Sequence, residues 1–506
     1  MITNSDIIYF ILTDRFYRGT GSQDNPLAPL LPKNPEGWHG GNFDGIIEKI
    51  PYLKELGITA IWITPVYLSI GEFFGSYGYH GYWALDFEKI DPHLYNYNSK
   101  LRNNGKNYLK NLTDKLHNEG MKLILDMVVN HTGYGYLENQ YPNKVFKAEN
   151  FNINDPNSET QQYLNGLPDL DHDQAYVADY FIQNILSWIK DCNIDAIRMD
   201  TAKHIEPAFW YLFKSVIKIS YPSITLIGEI LKEDVWDIPD LAKYQQLYDI
   251  ERQFDCPLRK KIVEVFINDA PLNWLAKPRL SDNEVSGVLD KDSCYTNSFR
   301  LVTFLDSHDT DKRIFTAILD RVEHWDRLKA QKIIKLVLSF LFTTRGVPEI
   351  YYGTEIGMEG RNNPDSRKDF PWSIIGQNHH PKPEFKESSE IYKHTKALIE
   401  LRKKHPAFSS GYLFTLWIDN FAYVYLRAFG DDIIIVAINN GTEDMPYPLN
   451  VPFEVNSNIP PRIITFIKKT TFTDTLDATY STKTKNGSLP ILVPAKTARI
   501  LINSDL

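Results

Sequence analysis

Three carboxylates stand at or just past the ends of short apolar runs: Asp200 after IDAIRM, Glu229 after ITLIG, and Asp309 three residues beyond LVTFLD. Two carboxyl groups in opposite protonation states are what glycosidic bond cleavage requires, one ionised and one able to give a proton. In DAIRMDTAKH (195–204), Arg198 lies two positions before Asp200. On a strand the two side chains share a face, and a guanidinium there favours the ionised carboxylate. Glu229 follows Gly228, with Ile227 and Ile230 on either side. That apolar setting would raise its pKa, as an acid catalyst requires. Each acidic residue alone reads more simply as a solvated strand end or a structural ion pair. All three at strand ends are harder to dismiss, because unpaired buried charge is costly.

Other chemistry-bearing residues occupy equivalent places. KLILDMVVN contains Asp126 and ends in Asn130, with His131 next. Lys203 and His204 follow Asp200, His308 precedes Asp309, and GYHGYWALDF carries His80, Tyr82 and Trp83. The histidines can hydrogen-bond hydroxyl groups, and the aromatics can stack on a sugar ring.

The elements that must position these residues show in the hydrophobic pattern. Runs at 7–12, 58–64, 122–130, 194–200, 224–229, 250–255 (weak), 301–306 and 348–353 are short and mostly apolar, as strands covered on both faces are. Helical periodicity separates them: in 174–192, Val177, Phe181, Ile185, Trp188, Ile189 and Cys192 recur at helical spacing. FDGIIEKIPYLKELG and EIYKHTKALIELRKKH behave alike. The pattern predicts an α/β fold, a (β/α)₈ barrel with chemistry at the C-terminal strand ends. No GxGxxG or Walker-type loop supports an open doubly wound sheet. Residues 1–130 and 173–405 form the expected barrel. Residues 131–172, rich in Asn, Tyr, Gly and Pro, read as an inserted subdomain. Beyond 405, AYVYLRAF, DIIIVAIN, RIITFIK and TARILIN read as strands of a C-terminal antiparallel β-sandwich at 406–506.

At 506 residues the chain is too long for one core. Net charge is −9 and no dense Lys/Arg run occurs, which argues against nucleic acid and anionic membrane as partners and leaves a neutral substrate. No protein partner is evident. The three cysteines are widely spaced and form no CxxC or disulfide framework. IIYFIL is too short for a membrane span, and no basic leader or A-x-A-like site precedes it. The chain as given reads as cytoplasmic.

In order and spacing, DMVVNH, DAIRMDTAKH, GEI and FLDSHD resemble the four signature motifs of the α-amylase superfamily of retaining glycosidases. LPDLD (167–171) resembles a fifth, GYHGYW the substrate-ring motif and PEIYYGTEIG the eighth strand. The resemblance spans roughly 5–405. It implies that Asp200 is the nucleophile, Glu229 the acid/base and Asp309 the transition-state stabiliser, with Arg198 orienting the nucleophile. His131 and His308 would bind the sugar at the cleavage subsite, Tyr82 would stack on it with His80 beside, and Lys203 and His204 would contact the leaving-side glucan. A structural Ca²⁺ is also implied, held by Asn130, Asp169 and the His204 carbonyl, oxygen ligands that suit calcium. The alternative is that Asn130 and Asp169 only bond the insert to the barrel. RNNPDSR departs from the family's loop in having Asn363 where an Asp is usual, with Pro364 and Arg367 kept for glycone binding.

AKH after Asp200 resembles α-amylases and cyclodextrin glucanotransferases. Transferases usually carry aromatics where this chain has Asn165 and Leu231. The implied activity is therefore endo-type hydrolysis of α-1,4-glucosidic bonds in maltooligosaccharides or starch-like glucans. The alternatives are an α-glucanotransferase, a cyclomaltodextrinase or neopullulanase-like enzyme, and a non-catalytic carbohydrate-binding relative, the last disfavoured because all three carboxylates are present.

Overall fold

The computed structural model describes residues 1–26, 28–97, 105–135, 145–147, 158–160, 163–277, 287–453 and 458–504. Eight parallel strands lie where the apolar runs predict them. They are β1 (Ile8–Ile11), β2 (Ala60–Ile63), β3 (Lys122–Met127), β4 (Ala196–Met199), β5 (Thr225–Gly228), β6 (Arg252–Gln253), β7 (Val302–Thr303) and β8 (Val347–Tyr351). Their order is β6-β5-β4-β3-β2-β1-β8-β7. A parallel bridge from Phe254, just past β6, to Val302 in β7 joins the two ends and closes the barrel. Nearly every strand residue is buried, because barrel interior and helices cover both faces.

A helix follows each strand: α1 (Phe43–Leu56), α2 (Gly105–Asn118), α3 (Ala175–Cys192), α4 (Pro207–Phe213), α5 (Ile238–Leu247), α6 (Cys256–Ile262), α7 (Arg327–Thr343) and α8 (Lys386–Lys404). In α3 the periodic residues Val177, Phe181, Ile185, Trp188, Ile189 and Cys192 are all buried. α1 starts on Asn42, whose side chain accepts from Gly45 N, and stops at Gly57, in the left-handed region at φ 98°.

Strand register sets the site. β3 and β4 pair Asp126 with Arg198, and β4 and β5 pair Met199 with Gly228. Asp200 and Glu229 therefore leave adjacent strands at the same level.

Of the inserted segment 131–172, much lies outside the described residues. The described part forms a short ladder: Lys147 N donates to Asp169 O at 2.9 Å and Asp171 N to Val145 O at 2.8 Å, around a Phe146–Leu170 bridge.

The C-terminal region carries β9 (Tyr412–Ile418), β10 (Ala422–Phe429), β11 (Asp432–Asn439), β12 (Leu449–Pro452), β13 (Thr471–Asp474), β14 (Ser481–Lys483), β15 (Ser488–Ile491) and β16 (Thr497–Asn503). Six form one antiparallel sheet, β9-β10-β11-β16-β13-β14, and β12 pairs with β15. Leu416, Leu426, Ile435, Val451, Leu489 and Ile491 belong to the core between them. RIITFIK is not a strand as its composition predicts. It lies in helix α9 (Pro461–Lys469), with Pro461 in the first turn and Ile463 and Ile467 buried one turn apart. Its β-branched content hid a helical period. Among the described residues no helix is long and apolar enough to cross a membrane.

Candidate active site

His80, Tyr82, His131, Arg198, Asp200, Lys203, His204, Glu229, His308, Asp309 and Arg367 all line one cleft of about 1000 Å³. It lies at the C-terminal ends of the barrel strands, and no residue expected to touch substrate falls outside it.

At its floor, Arg198 serves three carboxylates. Nη1 donates to Asp200 Oδ1 at 2.7 Å and to Asp126 Oδ1 and Oδ2 at 2.9 and 3.1 Å, while Nη2 lies 2.6 Å from Glu229 Oε1. Asp126 also accepts from Trp62 Nε1 at 3.1 Å and Tyr82 OH at 2.7 Å. The other Glu229 oxygen accepts from Thr201 N at 2.9 Å. Glu229 therefore does not sit in the apolar setting that its Ile neighbours predict; the strand end delivers it to a guanidinium and a backbone N–H.

Arg198 favours the ionised form of Asp200, as its position predicts, but it acts against burial. Burial raises the Asp200 pKa well above the ordinary range. Arg198 opposes this, and the nearby Glu229 and Asp126 add to it. Burial likewise pushes Asp126 up to about 6 against the pull of Arg198. Three carboxylates share one guanidinium, and burial makes their charges costly, so they are coupled through it.

The opposite wall is built from β7 and the loop after β8. Arg367 donates from Nε to the His308 carbonyl at 2.8 Å and from Nη2 to Asp309 Oδ1 at 3.1 Å. His308 Nε2 lies 3.2 Å from Asp309 Oδ2, and the Asp309 side chain is 52% exposed to the cleft. The Tyr82 and His308 rings stand near parallel, 5.1 Å apart. His80 Nδ1 accepts from Tyr82 N at 3.1 Å, which places its proton on Nε2. Burial lowers the pKa of His80 and His308 and takes His131 down to about 4. All three are neutral near pH 7, so each ring carries one N–H and one bare nitrogen, and His80 keeps the Nε2–H to donate to a sugar hydroxyl. Lys203 Nζ donates to Leu231 O at 3.2 Å, and His204 Nδ1 lies 2.5 Å from Glu159 O.

The alpha amylase catalytic-domain model matches residues 10–375. The chain belongs to the α-amylase family. It is 31% identical to a β/α-amylase of Paenibacillus polymyxa over 86% of this chain and 33% of that protein. It is 30% identical to a cyclomaltodextrinase of Geobacillus thermopakistaniensis over 87% of this chain and 70% of that one. The chain thus spans only a third of the first relative. An Anoxybacillus α-amylase structure superposes with a TM-score of 0.81 at 29% identity, covering 99% of both chains. This chain accordingly carries a catalytic domain of the α-amylase type.

The α-amylase motifs were legible, but their cross-strand partners were not. Asp126 stands in the first motif, yet its place as the second carboxylate on Arg198 comes only from the β3–β4 register. Trp62, Phe254, Glu233 and Lys312 also line the cleft, and no motif marked them.

Asn130 and Asp169 lie outside the cleft lining, where the insert meets the barrel. Both Asn130 amide atoms and Asp169 Oδ1 are buried with no hydrogen-bond partner among the described residues, and Asp169 Oδ2 lies 3.4 Å from the Lys147 ammonium. Leu170 N donates to Asn130 O at 2.8 Å, and His131 bridges Asp169, so the backbone holds the two side chains close in the chain path. Unpartnered buried oxygens of this kind fit a hard cation. Asp171, Asp173 and Glu206 also bring carboxylate oxygens within 4.8 Å of one another. The Asp171 oxygens, however, accept from Asp173 N and Gln174 Nε2, as in a local turn.

Proposed function

We propose that the enzyme hydrolyses internal α-1,4-glucosidic bonds of maltooligosaccharides and starch-like glucans with retention of anomeric configuration. The observation that carries this is the Arg198 guanidinium, shared by Asp200 and Glu229 at 2.7 and 2.6 Å. One planar fork spans both carboxyl groups. That suits the ~5–5.5 Å separation of a retaining pair better than the wider gap an inverting enzyme needs for water.

In this reading Glu229 is the proton donor. Its side chain is 21% exposed, against 8% for Asp200, and is thus the more open to a leaving oxygen. Asp200, ionised beside Arg198 Nη1, attacks the anomeric carbon and forms a glycosyl ester. Glu229 protonates the departing oxygen, then takes a proton from the water that releases the sugar. Asp309, fixed by Arg367 and His308, stabilises the positive charge that develops at the ring. Neutral His80, His131 and His308 bind hydroxyls, and Tyr82 covers the ring face. Lys203 and His204 line the leaving side.

Asn165 and Leu231 both line the cleft. Without aromatics at these positions a second glucan has less to stack on, which favours water as acceptor. Asn130, Asp169 and the His204 carbonyl would hold a calcium ion, whose contribution is to tie the insert to the barrel.

A second reading, hydrolysis of cyclic maltodextrins, draws on the cyclomaltodextrinase relative. Maltoheptaose, soluble starch and β-cyclodextrin assayed in parallel separate the two. The proposal expects new reducing ends from starch and maltoheptaose, released first as the α-anomer. Longer chains or rings from maltoheptaose would make it a transferase, a β-anomer would overturn retention, and preference for β-cyclodextrin would favour the second reading.

A further inference from the structure

The junction between insert and barrel already holds a cation of its own. Lys147 is anchored by the ladder, its N–H on the Asp169 carbonyl, and its side chain is only 8% exposed. The ammonium lies 3.4 Å from Asp169 Oδ2, ion-pairs with Glu206 Oε1 and donates to the carbonyl oxygen of Thr160. Carboxylate and carbonyl oxygens are the ligand types that a calcium ion takes, and Asp169 belongs to both sets. Asp169 and Glu206 bring two negative charges and Lys147 returns one. A divalent ion entering beside Asp169 meets a smaller net attraction and a positive neighbour. The ammonium does not fill the site: Asp169 Oδ1 and both Asn130 amide atoms stay unpartnered.

We propose that Lys147 is a tethered cation that competes with calcium for Asp169, so that the insert stays docked on the barrel when the metal is absent. Nothing in this depends on which bond the cleft hydrolyses.

The test uses the full chain stripped with chelator, titrated calorimetrically with CaCl₂ alone, and melted with chelator or with excess CaCl₂. Wild type is expected to shift its Tm by less than about 2 °C between the two melts. Lys147→Met and Lys147→Gln are expected to bind calcium at least tenfold more tightly than wild type and to lose more Tm on chelation. Equal calcium affinity in wild type and variants would overturn the proposal. If neither variant folds, wild type decides: a chelation-induced fall in Tm of about 5 °C or more overturns it, and near-indifference supports it. Asp169→Asn should abolish binding; calcium still bound in that variant would place the ion elsewhere, also against the proposal.

Discussion

Arg198 grips Asp126 with both carboxylate oxygens at 2.9 and 3.1 Å, and the two residues are register partners on adjacent barrel strands. Asp126 is fully buried and is further held by Trp62 and Tyr82. It fixes the guanidinium from behind, so that the remaining N–H groups aim at Asp200 and Glu229. Asp126→Asn keeps the shape and an acceptor but removes the charge. The expected outcome is a kcat lower by about 10–100-fold with little change in KM, since sugar contacts stay and only the orientation of the reacting carboxylates loosens. Steady-state kinetics on maltoheptaose, with a melt to confirm folding, check this; an unchanged kcat would remove Asp126 from the positioning network.

Asp200→Asn separates binding from chemistry. The amide still accepts from Arg198 but cannot form the glycosyl ester, so turnover should fall by about 10⁴-fold or more. Calorimetric binding of maltooligosaccharide should stay near wild type. Wild-type-like turnover would sink the nucleophile assignment.

Arg367 joins the loop after β8 to β7 through His308 and Asp309. A lysine reaches one of those oxygens, not both, because it lacks the planar fork. Arg367→Lys should therefore lower kcat/KM by roughly 10–100-fold, with KM rising as the Asp309 carboxylate loses its fixed direction. A KM unchanged from wild type would mean that Asp309 is held by His308 alone.

What could be read from sequence follows a physical divide. Barrel strands announce themselves because both faces are buried, so each is a nearly unbroken apolar run; even weak β6 was placed by the strands around it. The motif residues at the strand ends share that legibility, since strand ends are fixed by strands. Partnerships across strands are different. Arg198 and Asp126 are 72 positions apart, and only register brings them together. The same limit made Glu229 look apolar from its chain neighbours, whereas Arg198 and Thr201 N decide its surroundings. RIITFIK failed for another reason: its residues suit a strand, but Ile463 and Ile467 bury one helical face. Lys147 and Glu206 carried no motif at all, and their pairing appears only once the insert folds back.

Acid should destabilise the enzyme through buried neutral histidines. Burial lowers His172 and His394 to about 4, with His172 Nε2 2.7 Å from Val129 O and His394 Nε2 2.9 Å from Lys335 O. A depressed folded pKa means that the unfolded chain binds the proton first. The stability each contributes is complete above about pH 6.5 and is lost as pH falls toward 4, up to about 3 kcal/mol per histidine. Asp126, raised to about 6, works in the opposite sense, favouring the fold in acid and losing that contribution as pH rises through 6. The two histidines thus contribute a fall in Tm between pH 7 and 4, set against buried carboxylates such as Asp126 and Asp169. The double variant His172→Gln, His394→Gln should flatten that fall; an identical slope would show that other groups carry the acid sensitivity.

One buried guanidinium joins the barrel to the C-terminal sheet. Arg427 on β10 is fully buried and donates from Nη1 to Thr343 O at 2.7 Å, and from Nη2 to Phe408 O at 2.8 Å and Gly411 O at 3.0 Å. Thr343 ends α7, so one guanidinium satisfies a barrel-helix carbonyl together with two from the connecting segment. Beside it, the Thr343 and Tyr425 hydroxyls lie 2.5 Å apart. Burial takes Arg427 down to about 10, still charged at neutral pH. Arg427→Met fills the volume with apolar atoms but strands three buried carbonyls, each costing about 1 kcal/mol or more. The expected loss is about 3 kcal/mol, read as a lower urea midpoint. Turnover should be unchanged, because Arg427 is absent from the cleft lining. A midpoint equal to wild type would show that the sheet docks through its apolar contacts alone, and a fall in kcat at full folding would tie the joint to the cleft.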